Sequence, residues 1–226
     1  MDAKPPPAAS LHTPLTVSAV LLAAGSASRM GHRPKCLLEL DGVPLIQRQL
    51  MALAGAGMGE VVVVLGHYAD RIEKALKEFP VRLVRNPQPD DGQIASQRMG
   101  LRALSARMDA VLVALADQPL ITAQDVLDLI GAYKKRPTGT GVVQPAVDGK
   151  PGNPVVFSSA VREDILAGES FFGCRQWQAA HPEQVHRWVT PNTRYRTDVD
   201  TPQDIEALAA RTGQRLQWPA DLAVGP

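Results

Sequence analysis

Short apolar runs and longer amphipathic segments alternate along most of the chain. The short runs are rich in branched aliphatic residues and predict strands at 17–23, 60–65, 81–85 and 110–115. Segments typical of helices follow them at 44–57, 69–78, 94–106 and 123–135. This alternation predicts an α/β fold of the Rossmann-like, three-layer α/β/α type, in which two layers of helices cover a mostly parallel sheet.

Individual residues support these assignments. Val61-Val62-Val63-Val64 form a continuous β-branched run, which is typical of a parallel strand covered on both faces. Pro44 stands at the start of a predicted helix, where its missing N–H costs nothing. Thr122 is a suitable N-cap for the helix that follows it.

The pattern becomes less regular after residue 140. Strands are predicted at 141–145, 153–157 and 184–189, some of them antiparallel, and a last helix from Pro202 to about Arg211. We assign one domain to residues 16–212, a disordered N-terminal tail to residues 1–15 and a C-terminal tail to residues 213–226.

Composition narrows the class of protein. The chain has 226 residues, enough for one domain with a sizeable core, and a net charge of +1 from 24 basic and 23 acidic residues. That balance gives no electrostatic case for binding nucleic acid or a membrane surface. Cys36 and Cys174 are too few for a disulfide framework, and we interpret both as buried or half-buried thiols. The sequence has no apolar run of about 18 residues and no signal-peptide pattern, so we expect a cytoplasmic protein.

A loop suited to a polyanion follows the first predicted strand. The strand breaks at Gly25, and Arg29 and Lys35 come shortly afterwards. Loop amides can form an anion-binding nest, a guanidinium offers a fork of donors to phosphate oxygens, and an ammonium supplies a point charge. The expected ligand is a triphosphate, although the Walker pattern and the G-x-G-x-x-G fingerprint are both absent here. The alternative is an ordinary turn with surface cations.

Three aspartates are candidates for binding a cation. Asp117 follows a predicted strand, as Gly25 does, and ligands of open α/β sheets bind beyond the carboxyl ends of strands. Because Mg²⁺ is usually held by one or two carboxylates and substrate phosphates, Asp117 is a suitable ligand. Asp198 and Asp200 lie on the same side of an extended segment before the last helix. All three have an alternative role in capping a turn or a helix.

Four segments together resemble one enzyme family. They are 22–35 (Leu-Ala-Ala-Gly with Arg29-Met30-Gly31 and Lys35), Asp117-Gln118-Pro119, Gly152-Asn153-Pro154 and 198–204. In this order they are similar to the MobA/MocA-like nucleotidyltransferases, and Ala24 resembles the members that transfer a cytidylyl group to molybdopterin. The resemblance spans roughly residues 18–210 and implies a fold of the nucleotide-diphospho-sugar transferase type.

The resemblance also implies an activity and its site. The implied reaction transfers CMP from CTP to the phosphate of molybdopterin, with Mg²⁺ as cofactor and release of pyrophosphate. Implied catalytic residues are Arg29, Lys35 and Asp117, and implied metal ligands are Asp117 and Asp200. Implied nucleotide contacts are Leu22, Ala23, Ala24, Gly25, Ser26, Ser28, Arg29, Lys35, Gly92, Gln93, Ser96 and Asp117. Implied acceptor contacts are Gln118, Pro119, Asn153 and Arg175.

The implied partners are CTP, a molybdopterin-type acceptor, and a molybdenum hydroxylase or its chaperone. Three alternatives come from other classes. They are a nucleotidyltransferase that uses GTP or a sugar phosphate, a nicotinamide-dependent oxidoreductase on the same scaffold, and a non-catalytic protein that delivers a cofactor. Residues 168–175 are similar to the family's acceptor loop but depart from its pattern at Phe171 and Phe172. We interpret both as core residues, the alternative being stacking on a pterin.

Overall fold

A sheet of eight strands forms the centre of the molecule, and a second sheet has three strands. The computed structural model describes residues 15–105 and 107–223, so residues 1–14 of the predicted N-terminal tail lie outside the described residues. The strands are β1 (Val17–Ala23), β2 (Glu39–Leu40), β3 (Val43–Pro44), β4 (Val61–Leu65), β5 (Arg82–Arg85), β6 (Ala110–Leu115), β7 (Val142–Val147), β8 (Lys150–Pro151), β9 (Val155–Ser158), β10 (Val185–Val189) and β11 (Leu216–Gln217).

Eight α-helices accompany these strands in the described part of the chain. They are α1 (Leu45–Gly55), α2 (Ala69–Ala75), α3 (Gln93–Ala103), α4 (Ala123–Lys134), α5 (Ser159–Ala167), α6 (Cys174–Ala180), α7 (Pro202–Thr212) and α8 (Ala220–Ala223). Within the same residues, no helix has both the length and the apolar character needed to cross a bilayer.

The large sheet is mostly parallel. Its strand order is β10-β7-β9-β6-β1-β4-β5, and β8 pairs with β7. Strand β9 runs antiparallel to β6 and β7, and β8 antiparallel to β7, whereas the other neighbours are parallel. The predicted α/β fold is confirmed, and so is the expectation that some later strands are antiparallel.

The side chains of β1 show how both faces of the sheet are buried. Ala19 and Leu21 belong to an apolar cluster that includes residues of α1, α2 and α4, whereas Val20 and Leu22 belong to a cluster with residues of α3, α5 and α6. Successive side chains of a strand point to opposite faces, so the sheet lies between two helical layers. On α3, Gly100 allows a close approach, because a Cβ there would lie 2.5 Å from Val20 Cγ1.

Helices α5 and α6 lie where the sequence pattern predicts none. They have 9 and 7 residues, so each covers about two turns and shows little apolar periodicity. A local signal for α5 is Ser158, whose side chain accepts a hydrogen bond from the backbone of Val161 and caps the helix. The segment that resembles an acceptor loop therefore ends in the first turn of α6, at Arg175.

We interpret residues 213–226 as a C-terminal tail. The described residues of this segment, 213–223, pack on the domain. Strand β11 pairs antiparallel with β2. The guanidinium of Arg33 lies 4.3 Å from the ring centroid of Trp218 and donates to the carbonyl of Leu222 at 3.3 Å. Residues 216–223 thus cover the loop that follows β1.

Candidate active site

A cleft of about 960 Å³ opens at the carboxyl ends of β1 and β6. This edge is where ligands of open α/β sheets bind. All the residues selected from the sequence as site residues line this cleft except Ser28, Gln118 and Pro119. Residues selected by their position after a strand and residues selected by family resemblance therefore line the same cleft.

Two 3-10 turns position the cations in the loop after β1. Arg29 lies in the turn Ser28–Met30, which is anchored by the buried side chain of Met30. Lys35 begins the turn Lys35–Leu37, whose other two side chains are buried. Each cation is thus carried by a short turn with an apolar anchor.

The backbone at the start of this loop lies at the cleft. Gly25 lines the cleft, and a Cβ built on it would meet no described atom within 4 Å. The chain then turns at Ala27, which has a φ of 49°. The hydroxyl of Tyr68 donates to the carbonyl of Ser26 at 2.6 Å and holds the loop from the other side. A ligand can therefore approach the backbone closely at Gly25.

The ammonium of Lys35 lies between two carboxylates. Its Nζ is 2.5 Å from Oδ2 of Asp117 and 2.5 Å from Oδ1 of Asp200. Arg29 donates from Nη2 to Oδ2 of Asp200 at 2.9 Å. The side chains of Lys35 and Asp117 are mostly buried, whereas that of Arg29 is 66% exposed. Two cations and two carboxylates selected from the sequence thus form one network.

The segment around Val199 is tied to the end of β6. The backbone N–H of Val199 donates to the carbonyl of Asp117 at 3.0 Å, and its side chain is fully buried. Asp198 and Asp200, on either side of it, both line the cleft, as their alternation predicts. The backbone of Asp200 also donates to Oδ2 of Asp204, in the capping box of α7, at 3.0 Å.

Burial and charge act against each other in this network. Burial disfavours the ammonium of Lys35, but Asp117 and Asp200 outweigh it, so the pKa of Lys35 is raised. Burial likewise works against the carboxylate of Asp200, and contact with Lys35 and Arg29 lowers its pKa nonetheless. Asp198 has no such contact in the described structure, and burial together with the negative charge of Asp117 raises its pKa.

One carboxylate oxygen in the network is unsatisfied. Oδ1 of Asp117 is buried and has no hydrogen-bond partner among the described residues. Such atoms are rare, and carboxylate oxygens are the ligands that Mg²⁺ prefers. Within the described residues, no group of three or more His, Cys, Asp and Glu side chains suits a metal ion. A metal held by Asp117 and Asp200 would therefore take its remaining ligands from substrate and water.

Helix α3 begins at the cleft. Gly92, with a φ of 90°, precedes Gln93 at the start of the helix. Ser96 is buried, and its hydroxyl accepts a hydrogen bond from Asn86 at 3.0 Å. His67 also lines the cleft, and it lies outside the sequence motifs. It follows the end of β4, so the rule that selects Gly25 and Asp117 would have found it too.

Two predicted acceptor contacts do not reach the cleft. Gln118 is 1% exposed and donates to the carbonyls of Asn153 and Tyr195, at 3.2 Å each. Pro119 is also buried. The side chain of Gln118 points into the protein, because its amide group donates hydrogen bonds to two later segments of the chain. Asn153 and Arg175 do line the cleft.

The interpretation of the two adjacent phenylalanines as core residues is wrong for Phe171. Its side chain is 65% exposed, whereas Phe172 is partly buried against the apolar cluster that contains α5 and α6. The interpretation of the cysteines as buried thiols is confirmed. Burial raises the pKa of Cys36 to about 12 and that of Cys174 to about 11.

Comparison with known proteins identifies the family and several similar structures. The family model of the MobA-like NTP transferase domain matches residues 19–185. A nucleotidyl transferase from Methanothermobacter, Mth528, has a similar structure with a TM-score of 0.72. It is 26% identical, and the match covers 87% of this chain and 97% of that one.

Two curated proteins are similar over different lengths. The nicotine blue oxidoreductase of Paenarthrobacter nicotinovorans is 28% identical over 199 residues, which is 85% of this chain and 96% of that protein. The bifunctional protein GlmU of Sorangium cellulosum is 38% identical over 130 residues, which is 54% of this chain and 27% of that protein. The chain spans about a quarter of the length of the GlmU relatives that it matches.

The fold and the cleft define an α/β domain of the nucleotidyltransferase class. The chain belongs to the MobA-like NTP transferase domain family, whose model covers its large sheet from β1 to the start of β10.

Proposed function

We propose that this protein transfers CMP from CTP to the phosphate of a molybdopterin-type acceptor, with Mg²⁺ as cofactor and release of pyrophosphate. The observation that carries the proposal is the network of Arg29, Lys35, Asp117 and Asp200 beside an open glycine loop. Two cations suit a triphosphate, and two carboxylates suit a metal bound to it. A non-catalytic delivery protein would not need this combination.

In the proposed reaction, an oxygen of the acceptor phosphate attacks the α-phosphorus of CTP. A new P–O bond forms as the bond to the pyrophosphate oxygen breaks. The attacking phosphate is already an anion, so no strong general base is required. Catalysis then rests on positioning and on stabilising negative charge.

The residues of the network have separate roles in this proposal. Arg29 and the backbone of Gly25 and Ser26, which line the cleft, bind the β- and γ-phosphates. Lys35 stabilises the charge that develops at the α-phosphate. Asp117 and Asp200 hold the metal. When bound, Mg²⁺ supplies Lewis-acid stabilisation of the phosphate oxygens.

The identities of the nucleotide base and of the acceptor are the more specific parts of the proposal. Ala24 supports CTP, since it resembles the cytidylyl-transferring members of the family. Asn153 and Arg175 line the cleft and would contact the acceptor. A molybdenum hydroxylase or its chaperone would receive the product, and we place the reaction in the cytoplasm, where CTP is available.

The test is release of pyrophosphate by the purified protein with Mg²⁺ and molybdopterin, in parallel assays with CTP, GTP, ATP and UTP. Release with CTP alone is the expected result. Preference for GTP would support the proposed reaction but overturn the assignment of cytosine as the nucleotide base. Absence of release with every nucleotide would overturn the proposed reaction, provided that the same acceptor is active with a control enzyme.

A second candidate is reduction of an aromatic substrate by a nicotinamide cofactor. The observation in its favour is the match to nicotine blue oxidoreductase, which covers 96% of that protein. The network around Lys35 favours phosphate chemistry instead. Oxidation of NADH or NADPH in the presence of a pigment substrate, followed by absorbance, would distinguish the two candidates.

A further inference from the structure

We propose that Arg187 and Gln144 form an anion-binding subsite at the end of the cleft away from the Gly25 loop, and that it binds an acidic group of the acceptor. The identity of the bound molecule as the acceptor rests on the proposed function. The ability of the subsite to bind an anion does not, and it can be tested separately.

The subsite lies on the outer strands of the sheet. Arg187 of β10 is the register partner of Gln144 of β7, and both line the cleft. Val142, two positions before Gln144, packs in the cluster with α6, so Gln144 shares that face of the sheet. Strand β10 is three positions from β6 in the sheet, roughly 14 Å at the usual strand spacing. The subsite is therefore separate from Asp117, which follows β6.

A neutral side chain orients the guanidinium. Nε2 of Gln144 donates to the carbonyl of Gly152 at 2.9 Å, and its Oε1 accepts a hydrogen bond from Nη1 of Arg187. The amide is held at one end and holds Arg187 at the other. A carboxylate in this place would neutralise the arginine, whereas the amide leaves its full positive charge available.

The cations at this end of the cleft differ from those near the Gly25 loop. Arg29 and Lys35 are ion-paired, whereas among the described residues no carboxylate lies within 4.0 Å of Arg187 or Arg175. Both arginines line the same cleft. Although burial raises the pKa of the Cys174 thiol, the charges of Arg187 and Arg175 both act to lower it. The charges of both guanidinium groups thus act on the same part of the cleft, near Cys174.

This arrangement defines the chemical class of the ligand. A guanidinium with an oriented fork of N–H donors prefers the planar pair of oxygens of a carboxylate or a phosphate. Phosphate and carboxylate are the groups that the subsite would take. A neutral acceptor would gain no charge-assisted hydrogen bond from either arginine.

The first experiment compares Arg187→Gln with wild type in the pyrophosphate assay. We expect the KM for the acceptor to rise by about 10- to 100-fold, as for loss of a charge-assisted hydrogen bond. The Kd for CTP, measured by isothermal titration, should not change. Arg107→Gln, an exposed arginine outside the cleft, is the matched control. An unchanged KM for the acceptor would overturn the assignment of the acceptor.

A second pair of variants separates charge from packing. Gln144→Glu places a carboxylate against Arg187, and Gln144→Met removes both hydrogen bonds of the amide without adding charge. If Arg187 binds an anion, Gln144→Glu raises the KM for the acceptor more than Gln144→Met does. If Arg187 is only structural, the new ion pair does not affect binding, and the KM for the acceptor is no higher in Gln144→Glu than in Gln144→Met. That result would overturn the proposal.

The third experiment does not depend on any transfer reaction. Inorganic phosphate is titrated into the protein while the Nε–Hε NMR signal of Arg187, assigned by its absence in Arg187→Gln, is recorded. We expect a saturable shift in wild type and a much weaker one in Gln144→Glu. Absence of a saturable shift in wild type would overturn the subsite itself. If no nucleotide supports pyrophosphate release but the shift is present, only the proposed function fails.

Discussion

The ammonium of Lys35 and the carboxylate of Asp117 lie 2.5 Å apart although 82 residues separate them in the chain. The contact joins the loop after β1 to the end of β6, and these two strands are parallel neighbours in the sheet. Both side chains are mostly buried, with 20% and 17% exposed. Loss of one partner therefore leaves a poorly solvated charge.

Replacement of Lys35 by Met removes the cation and keeps most of the side-chain length. We expect transfer to fall by about 10²- to 10³-fold, because an oriented charge at the reacting phosphate is lost. Asp117 and Asp200 would then repel each other, so the melting temperature should rise more with added Mg²⁺ than it does in wild type. Pyrophosphate release and thermal melts with and without Mg²⁺ measure the two effects. Equal Mg²⁺ responses of the two proteins would contradict this account.

Asp117→Asn is nearly isosteric and removes a proposed metal ligand. We expect transfer to fall by about 10³-fold, since a bound metal contributes several kcal/mol to catalysis. Lys35 keeps Asp200 as a partner, so the circular dichroism spectrum should match that of wild type. Asp128→Asn, on the exposed face of α4, is the control and should keep the wild-type rate. Substantial activity of Asp117→Asn would exclude the metal assignment.

Arg98 stabilises the connection between α5 and α6. Its guanidinium is buried and donates to four backbone carbonyls, those of Ile165, Leu166, Gly168 and Phe172. Arg98→Met would leave these acceptors without a donor, and we expect a loss of about 2 kcal/mol or more in the free energy of unfolding. Urea denaturation measures it.

The control for this variant is Arg102→Met, at an exposed position of the same helix, with an expected change of less than about 0.5 kcal/mol. Arg98→Lys should recover only part of the stability, because one ammonium cannot reach four carbonyls. If Arg98→Lys had the wild-type free energy of unfolding, the positive charge alone would stabilise the connection, and the fork of the guanidinium would not be required.

Two helical glycines should respond to alanine in opposite directions. At Gly100 a Cβ would lie 2.5 Å from Val20 Cγ1 and 2.8 Å from Val64 Cγ2, so Gly100→Ala should destabilise the protein by about 1–3 kcal/mol. At Gly131 on α4 a Cβ would meet no described atom within 4 Å, so Gly131→Ala should stabilise it by about 0.5–1 kcal/mol. Urea denaturation of both variants tests the packing of α3 against β1 and β4.

Stability should decrease at alkaline pH. Burial raises the pKa of Cys174 from 9.0 to about 11, and that of Cys36 to about 12. Above pH 9 the folded protein therefore holds more protons on these thiols than the unfolded chain does, and the free energy of unfolding falls as pH rises through these values. The raised pKa of Lys35 acts in the same direction.

Urea denaturation at about pH 7 and about pH 10, in the presence of a reductant, measures this dependence. Cys174→Ala should reduce it, because one of the shifted groups is removed. A free energy of unfolding that is equal at the two pH values would contradict the burial of the thiols.

The local sequence pattern was sufficient for the central elements of the fold. Strands β1, β4 and β6 and the helix capped by Thr122 were predicted nearly at their observed bounds. These elements depend on periodicity and capping within a few residues. For the same reason, the glycine loop, its two cations and the aspartate after β6 could be selected as candidates without a structure.

The sequence thus determined which residue types follow each strand, and only the tertiary structure decided which of them meet. The direction of β9 and the burial of Gln118 depend on strand order and on loops far away in the chain. Arg187 carries no local signal at all, because its partner Gln144 is 43 residues away and becomes its neighbour only when β10 pairs with β7. Contacts of this kind are set by sheet assembly, which no local window of sequence contains.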